Sequence, residues 1–159
     1  MKSEPKLREA MVTALQAALQ ACNEARKAYE AHTFPRVPRG RLKRFELRLG
    51  EVQFVYPAKR YMSEEPQIEA IEIAYRSTKR NVCFYTNKLR EEAEDIVDKL
   101  NGYPSRVLAL VRWLERIERW LLARAEGHRR HAEEVLRQQQ RAIAEIQNRA
   151  TAAKLTDLP

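Results

Sequence analysis

The sequence predicts an α+β protein: a leading helix, a small antiparallel sheet of about four strands in two hairpins, a covering helix, and a long C-terminal helix ending in a coiled-coil-like arm. Three observations predict it. Apolar residues recur every three or four positions at both ends of the chain, they alternate with polar residues between Phe45 and Tyr56, and only 4 of the 159 residues are glycine. Charged residues make up 33%, against about 25% in ordinary globular chains, an excess that suits long solvated helices. Hydrophobic residues make up 44%, enough to build one core at this length.

The first helix is expected from about Glu4 to His32, capped by Ser3, with Pro5 tolerated in its first turn. Leu7, Met11, Leu15, Ala18, Cys22, Ala25 and Tyr29 form one narrow stripe, suited to close packing against another helix. Pro35 and Pro38 end any helix. From Lys43 the period becomes two: Phe45, Leu47 and Leu49 alternate with Arg44, Glu46 and Arg48, a half-buried strand with a charged outer face. Gly50-Glu51 fits a two-residue turn with glycine first, and Val52, Phe54 and Tyr56 continue the alternation in a second strand. A loop over 57–66 leads to a third strand at about Gln67 to Arg76. A polar turn at Ser77–Asn81 and a short fourth strand at Val82–Tyr85 complete a meander.

Thr86 or Asn87 is expected to cap the covering helix, whose apolar side is Leu89, Ala93, Ile96, Val97 and Leu100 and whose C-cap is Asn101-Gly102. The last helix is expected from Ser105 to about Ala153, broken at most by Gly127. At 1.5 Å per residue it would span roughly 70 Å, while a domain of 100 residues has a radius of gyration near 13 Å. It must overhang the domain or bend back at Gly127. Val107, Leu110, Leu114, Ile117 and Leu121 make a strong seam in its first half; beyond Gly127 the seam is weak and mixed. The organisation read from this is a globular unit over 1–126 and a helical arm over 127–159.

Charge supplies the functional expectation. The net charge is +8, distributed as +6 over residues 1–50, −2 over 51–100 and +4 over 101–159. A cationic surface attracts nucleic acid, anionic lipid or an acidic protein, although a charge of this size also serves solubility alone. The densest run reads TFPRVPRGRLKRFELRLG, with Arg36, Arg39, Arg41, Lys43, Arg44 and Arg48 against a single acid, Glu46. Lys59, Arg60 and Tyr61 stand on the following loop, and Arg76, Lys79 and Arg80 around the next turn. Cations interleaved with tyrosines are the pattern of a single-strand binder, where bases stack on rings beside a phosphate track. A solvated face and a surface for an acidic protein are the competing readings.

Nothing in the sequence signals catalysis. There is no glycine-rich phosphate loop, no Gly-x-Ser-x-Gly and no Cys-x-x-Cys. His128 and His131 share a helix face and could offer two metal ligands, but Arg129 and Arg130 between them oppose a dication, so a solvated polar face is expected. The acids Glu91, Glu92, Glu94, Asp95 and Asp98 suit the N-terminal half of a helix by its dipole. Cys22 and Cys83, without partners at metal-ligand spacing, read as buried small hydrophobes in a reducing compartment. The segment Met1-Lys2-Ser3-Glu4-Pro5 lacks an apolar signal core, and no uncharged stretch approaches the ~20 residues a bilayer requires.

The expectation is therefore a soluble, cytoplasmic, non-enzymatic accessory subunit without metal or cofactor. It binds DNA or RNA with little sequence preference through the basic stretch and the sheet. The alternative is a structural or adaptor protein, such as an assembly or virion component, whose basic face meets an acidic partner. Trp113 and Trp120, seven apart around Ile117, are expected to be mostly covered, with a partner anchor as the other reading. The arm, with Val135, Ile143 and Ile146, is expected to contact a second copy or another subunit.

Overall fold

The change from a helical to a two-residue period near Lys43 marks where a helix gives way to a four-stranded antiparallel sheet. The structure, a computed structural model, describes residues 4–31, 43–58, 71–76, 78–82 and 88–156. Helix α1 spans Pro5–Ala31, strands β1 Phe45–Leu49, β2 Val52–Tyr56, β3 Ile71–Tyr75 and β4 Thr78–Val82, and helices α2 Leu89–Lys99 and α3 Pro104–Thr156. The strands pair in sequence order, β1-β2-β3-β4.

Register follows the alternation. Leu47, Phe54, Ile73 and Arg80 lie in one row across the inner face, and Phe45 stands opposite Tyr56. The outer face carries the row Glu46, Val55, Glu72, Asn81 and the row Arg48, Gln53, Ala74, Lys79. The first hairpin closes on Gly50 at φ +61°, with Leu49 paired to Val52, the glycine-first turn that the sequence predicts.

The fourth strand departs from expectation. It runs over Thr78–Val82 rather than from Val82, because the turn closes at once: Tyr75 pairs with Thr78, whose Oγ1 donates to the Tyr75 carbonyl at 2.9 Å, and Arg76 takes φ 53°. Its polarity disguised it as a loop, yet an edge strand is where lysine and other charges are tolerated, since they discourage further strand pairing. The expected beginning of the third strand, the helix caps at Ser3, Thr86 and Asn87, and Cys83 lie outside the described residues.

Helix α1 buries Met11, Val12, Leu15, Ala18, Leu19, Cys22 and Ala25, a wider face than the single stripe predicted. Leu7, at its start, is exposed instead. Asn23 and Arg26 are buried on the same face. The Arg26 guanidinium donates to Asn23 Oδ1 at 2.9 Å and to Glu30 Oε1 at 3.0 Å, as a buried charge must. Cys22 Sγ donates to the Leu114 carbonyl at 3.0 Å, and Tyr29 lies against Trp120 and His128. The later residue of α1 meets the later residues of α3, so the two helices run in the same direction.

The inner sheet face closes the core from the other side. Trp113 is 7% exposed and packs its ring 6.2 Å from that of Phe54. Trp120, half-buried, stands edge-on to Phe45 at 5.8 Å. Helix α2 adds Leu89, Ala93, Ile96 and Val97. It ends as predicted at Asn101-Gly102, both in the left-handed region, with the Gly102 amide donating to Val97 at 2.9 Å.

Helix α3 continues without interruption through Gly127 over 53 residues, about 80 Å. Of the two outcomes allowed by its length, overhang is the one observed. Buried positions stop at Ala125, and every residue from Arg129 to Lys154 is exposed. At the junction Arg129 and Arg130 both donate to Glu126, and Arg129 holds its carboxyl down at about 2.

Candidate functional site

The predicted cations divide into four groups. Arg36, Arg39, Arg41, Lys59, Arg60 and Tyr61 lie outside the described residues. Arg44, Arg76 and Arg80 are ion-paired: Arg44 Nε with Glu46 at 2.6 Å, Arg76 Nε with Glu51 at 3.3 Å, and Arg80 with two acids of α2. Lys43 sits exposed with its Nζ 5.4 Å from the Phe45 ring. Arg48 and Lys79 project from the outer sheet face without a carboxylate partner among the described residues.

Arg80 is the clearest displacement from expectation. Read as a turn residue free to meet phosphate, it belongs to the inner face of β4. Its Nη2 stands 2.9 Å from Glu92 Oε2 and 2.6 Å from Asp95 Oδ2. These are close charge contacts rather than well-aligned hydrogen bonds. Asp95 also meets Lys99 at 3.5 Å. The acids of α2 are therefore engaged in tying the helix to the sheet edge.

A different cation occupies the position that Arg80 was expected to fill. Arg106 stands in the first turn of α3, which contains no acid. Its guanidinium lies 4.7 Å from the centre of the Tyr103 ring. Gly50 adjoins it as well: a Cβ there would fall 3.0 Å from three guanidinium atoms. Arg106 thus touches a tyrosine ring and a glycine, with no carboxylate partner among the described residues. It borders a cleft of about 420 Å³, lined also by Tyr75, Arg76, Lys99, Asn101 and Glu51.

That cleft continues onto the sheet. A shallower depression of about 290 Å³ is lined by Arg48, Glu51, Gln53, Ala74 and Arg76. The two share Glu51 and Arg76, so Lys99, Arg106, Arg76 and Arg48 border one connected surface with a single acid among its lining. Arg76 lies over the Tyr75 ring at 5.6 Å. Three separate turns build the surface: Gly50-Glu51, Arg76 after β3, and Asn101 to Tyr103 between the last two helices.

Lys99, Tyr103 and Arg106 were not singled out from sequence. One signal was available: a helix N-terminus favours acids by its dipole, and an arginine there with no acid in the turn calls for another reason. Among the described residues no group of three His, Cys, Asp or Glu is placed to hold a metal ion, and no helix is long and apolar enough to cross a membrane. Trp113 and Trp120 belong to the core and its margin, while Val135, Ile143 and Ile146 stand on the exposed arm.

The chain matches no protein-family model, no curated protein and no solved structure.

Proposed function

We propose that the protein is a non-enzymatic, nucleic-acid-associated subunit that binds phosphate backbone along the surface joining the α2–α3 corner to the outer sheet face. The observation that carries this reading is Arg106, in contact with Tyr103 and Gly50 and without a carboxylate partner among the described residues, beside Arg76 and Lys99. A guanidinium oriented by stacking keeps its N–H fork available, and such forks match phosphate oxygens in pairs. Arg48 and Lys79 extend the track, and Tyr103 is exposed beside it, a ring on which a base could stack. The cations among the described residues suit phosphate rather than base edges, so this reading expects little sequence preference.

The test is a salt titration of binding to unrelated DNA and RNA oligonucleotides, comparing wild type with the triple variant Arg48→Glu, Arg76→Glu, Arg106→Glu. The variant should bind at least tenfold more weakly at moderate salt, equal to about 1.4 kcal/mol. Its slope of log K against log salt should be shallower by roughly one per lost phosphate contact. Equal weak binding by both proteins would remove the nucleic-acid reading. Recovery of a stoichiometric acidic protein, lost with the same substitutions, would put the adaptor reading in its place.

A further inference from the structure

Beyond Gly127 the α3 arm carries an apolar stripe that nothing among the described residues covers. Leu136, Ile143 and Ile146 are 53%, 55% and 65% exposed. The stripe is Ala132, Leu136, Gln139, Ile143, Ile146, Ala150 and Ala153, spaced alternately by four and three. At 100° per residue it lies on the same side of the helix as Leu114, Leu121 and Ala125, which are buried in the body. The face that packs against α1 thus runs on past His128, which meets Tyr29 near the end of α1. A helix draws most of its stability from covering such a face.

We propose that this stripe pairs antiparallel with the same segment of a second copy of the chain, about a two-fold axis at Arg141. Three features select a second copy. The first is internal symmetry. In an isologous contact, if residue i meets residue j, then j meets i. Centring on 141 sets Ala132 against Ala150, Leu136 against Ile146, and Gln139 against Ile143, so small meets small and large meets large away from the axis, while Ala153 falls beside Arg129. Gln139 flanks the axis, a polar position of the kind that fixes register at some cost in stability.

The second feature is charge. Along the arm, Arg129, Arg137 and Arg149 pair with Glu126 and Glu133, Glu134 and Glu145 of their own helix. Six Lys/Arg against four Glu over residues 126–156 leave each arm a net charge of only +2, so most of the repulsion between like arms is removed within each helix. Beside the seam, Gln140 and Ala142 meet their own counterparts, and Lys154 comes opposite Glu126 of the other copy. The third is length. From the axis, residue 156 reaches the level of Glu126, the first helical turn that the other body already covers. Each body begins about 20 Å from the axis, so the two stand clear of one another while the whole stripe is covered.

The experiment uses the full chain. Sedimentation across micromolar concentrations should give twice the 18.6 kDa chain mass. The double variant Ile143→Glu, Ile146→Glu should sediment as a monomer whose body melts as before. Register is read by mild oxidation, with the linked peptides identified by mass. An Ala142→Cys variant should cross-link to itself. Leu136→Cys and Ile146→Cys should each fail alone but link when mixed. A wild-type chain that stays monomeric throughout overturns the proposal, and so does self-linking of Leu136→Cys, which would mark a parallel pair. Neither outcome touches oligonucleotide binding by the body, which is measured separately on the monomeric variant.

Discussion

Gly50 serves two ends at once. Its φ of +61° makes the first hairpin turn, and its missing side chain leaves room for the Arg106 guanidinium. Gly50→Ala meets both constraints: a left-handed residue with a Cβ costs about 1–2 kcal/mol, and the methyl would push Arg106 off Tyr103. The variant should melt several degrees lower, and its oligonucleotide affinity, measured well below the melting point, should fall as far as that of Arg106→Ala. Unchanged affinity would mean that the stacked pose of Arg106 is irrelevant to binding. Cys22 offers a second residue-scale measurement. Burial, reinforced by the charge of Glu118, pushes its thiol up from the ordinary 9.0 to about 12. A group raised in the folded state stabilises fully below its unfolded value, and that contribution is lost as pH climbs from about 9 toward 12. The loss amounts to about 4 kcal/mol at most. Wild type should therefore lose stability more steeply than Cys22→Ala above pH 9, as read by denaturant unfolding. Parallel pH profiles would contradict the assignment.

At the scale of elements, neighbouring cations of β4 have opposite duties. Arg80 faces inward to Glu92 and Asp95, and Lys79 faces outward beside Ala74. Arg80→Glu places three acids together and should lower the melting temperature, while Lys79→Glu should leave it within error and weaken binding instead. A reversal of that pattern would show that the strand's faces are misassigned. The same strand shows what the sequence could and could not disclose. Phe45, Leu47 and Leu49 announced β1 by alternation, Gly50 announced the turn, and Asn101-Gly102 announced the end of α2. Thr78 to Asn81 announced nothing, because an edge strand polar on both faces has no period to read. The partners of Arg76 and Arg80 were invisible for a different reason. Glu46, the partner of Arg44, is close in sequence, but Glu51, Glu92 and Asp95 are brought close only by the hairpin and by the docking of α2. Asn23 and Arg26 widened the α1 face because the Arg26 guanidinium finds Asn23 and Glu30 on its own helix.

At the scale of the molecule, binding and pairing make a joint prediction. In two chains paired about residue 141, the Arg106 surfaces at the start of α3 lie about 105 Å apart along the arm axis, a separation matched by roughly thirty base pairs of duplex. A duplex of about eight pairs can then engage one body, whereas one of about forty can engage both, and the second contact becomes intramolecular. Wild type should bind the longer duplex at least about tenfold more tightly, beyond the gain from a greater number of overlapping sites. The double variant Ile143→Glu, Ile146→Glu supplies the reference, since it retains the cleft residues and loses only the arm contact. It should match wild type on the short duplex and keep nothing but the statistical gain on the long one. Length dependence that survives in the variant would place the cooperative contact within the body rather than the arm. Length dependence absent from a dimeric wild type would mean that the two cation surfaces face apart and cannot share one strand.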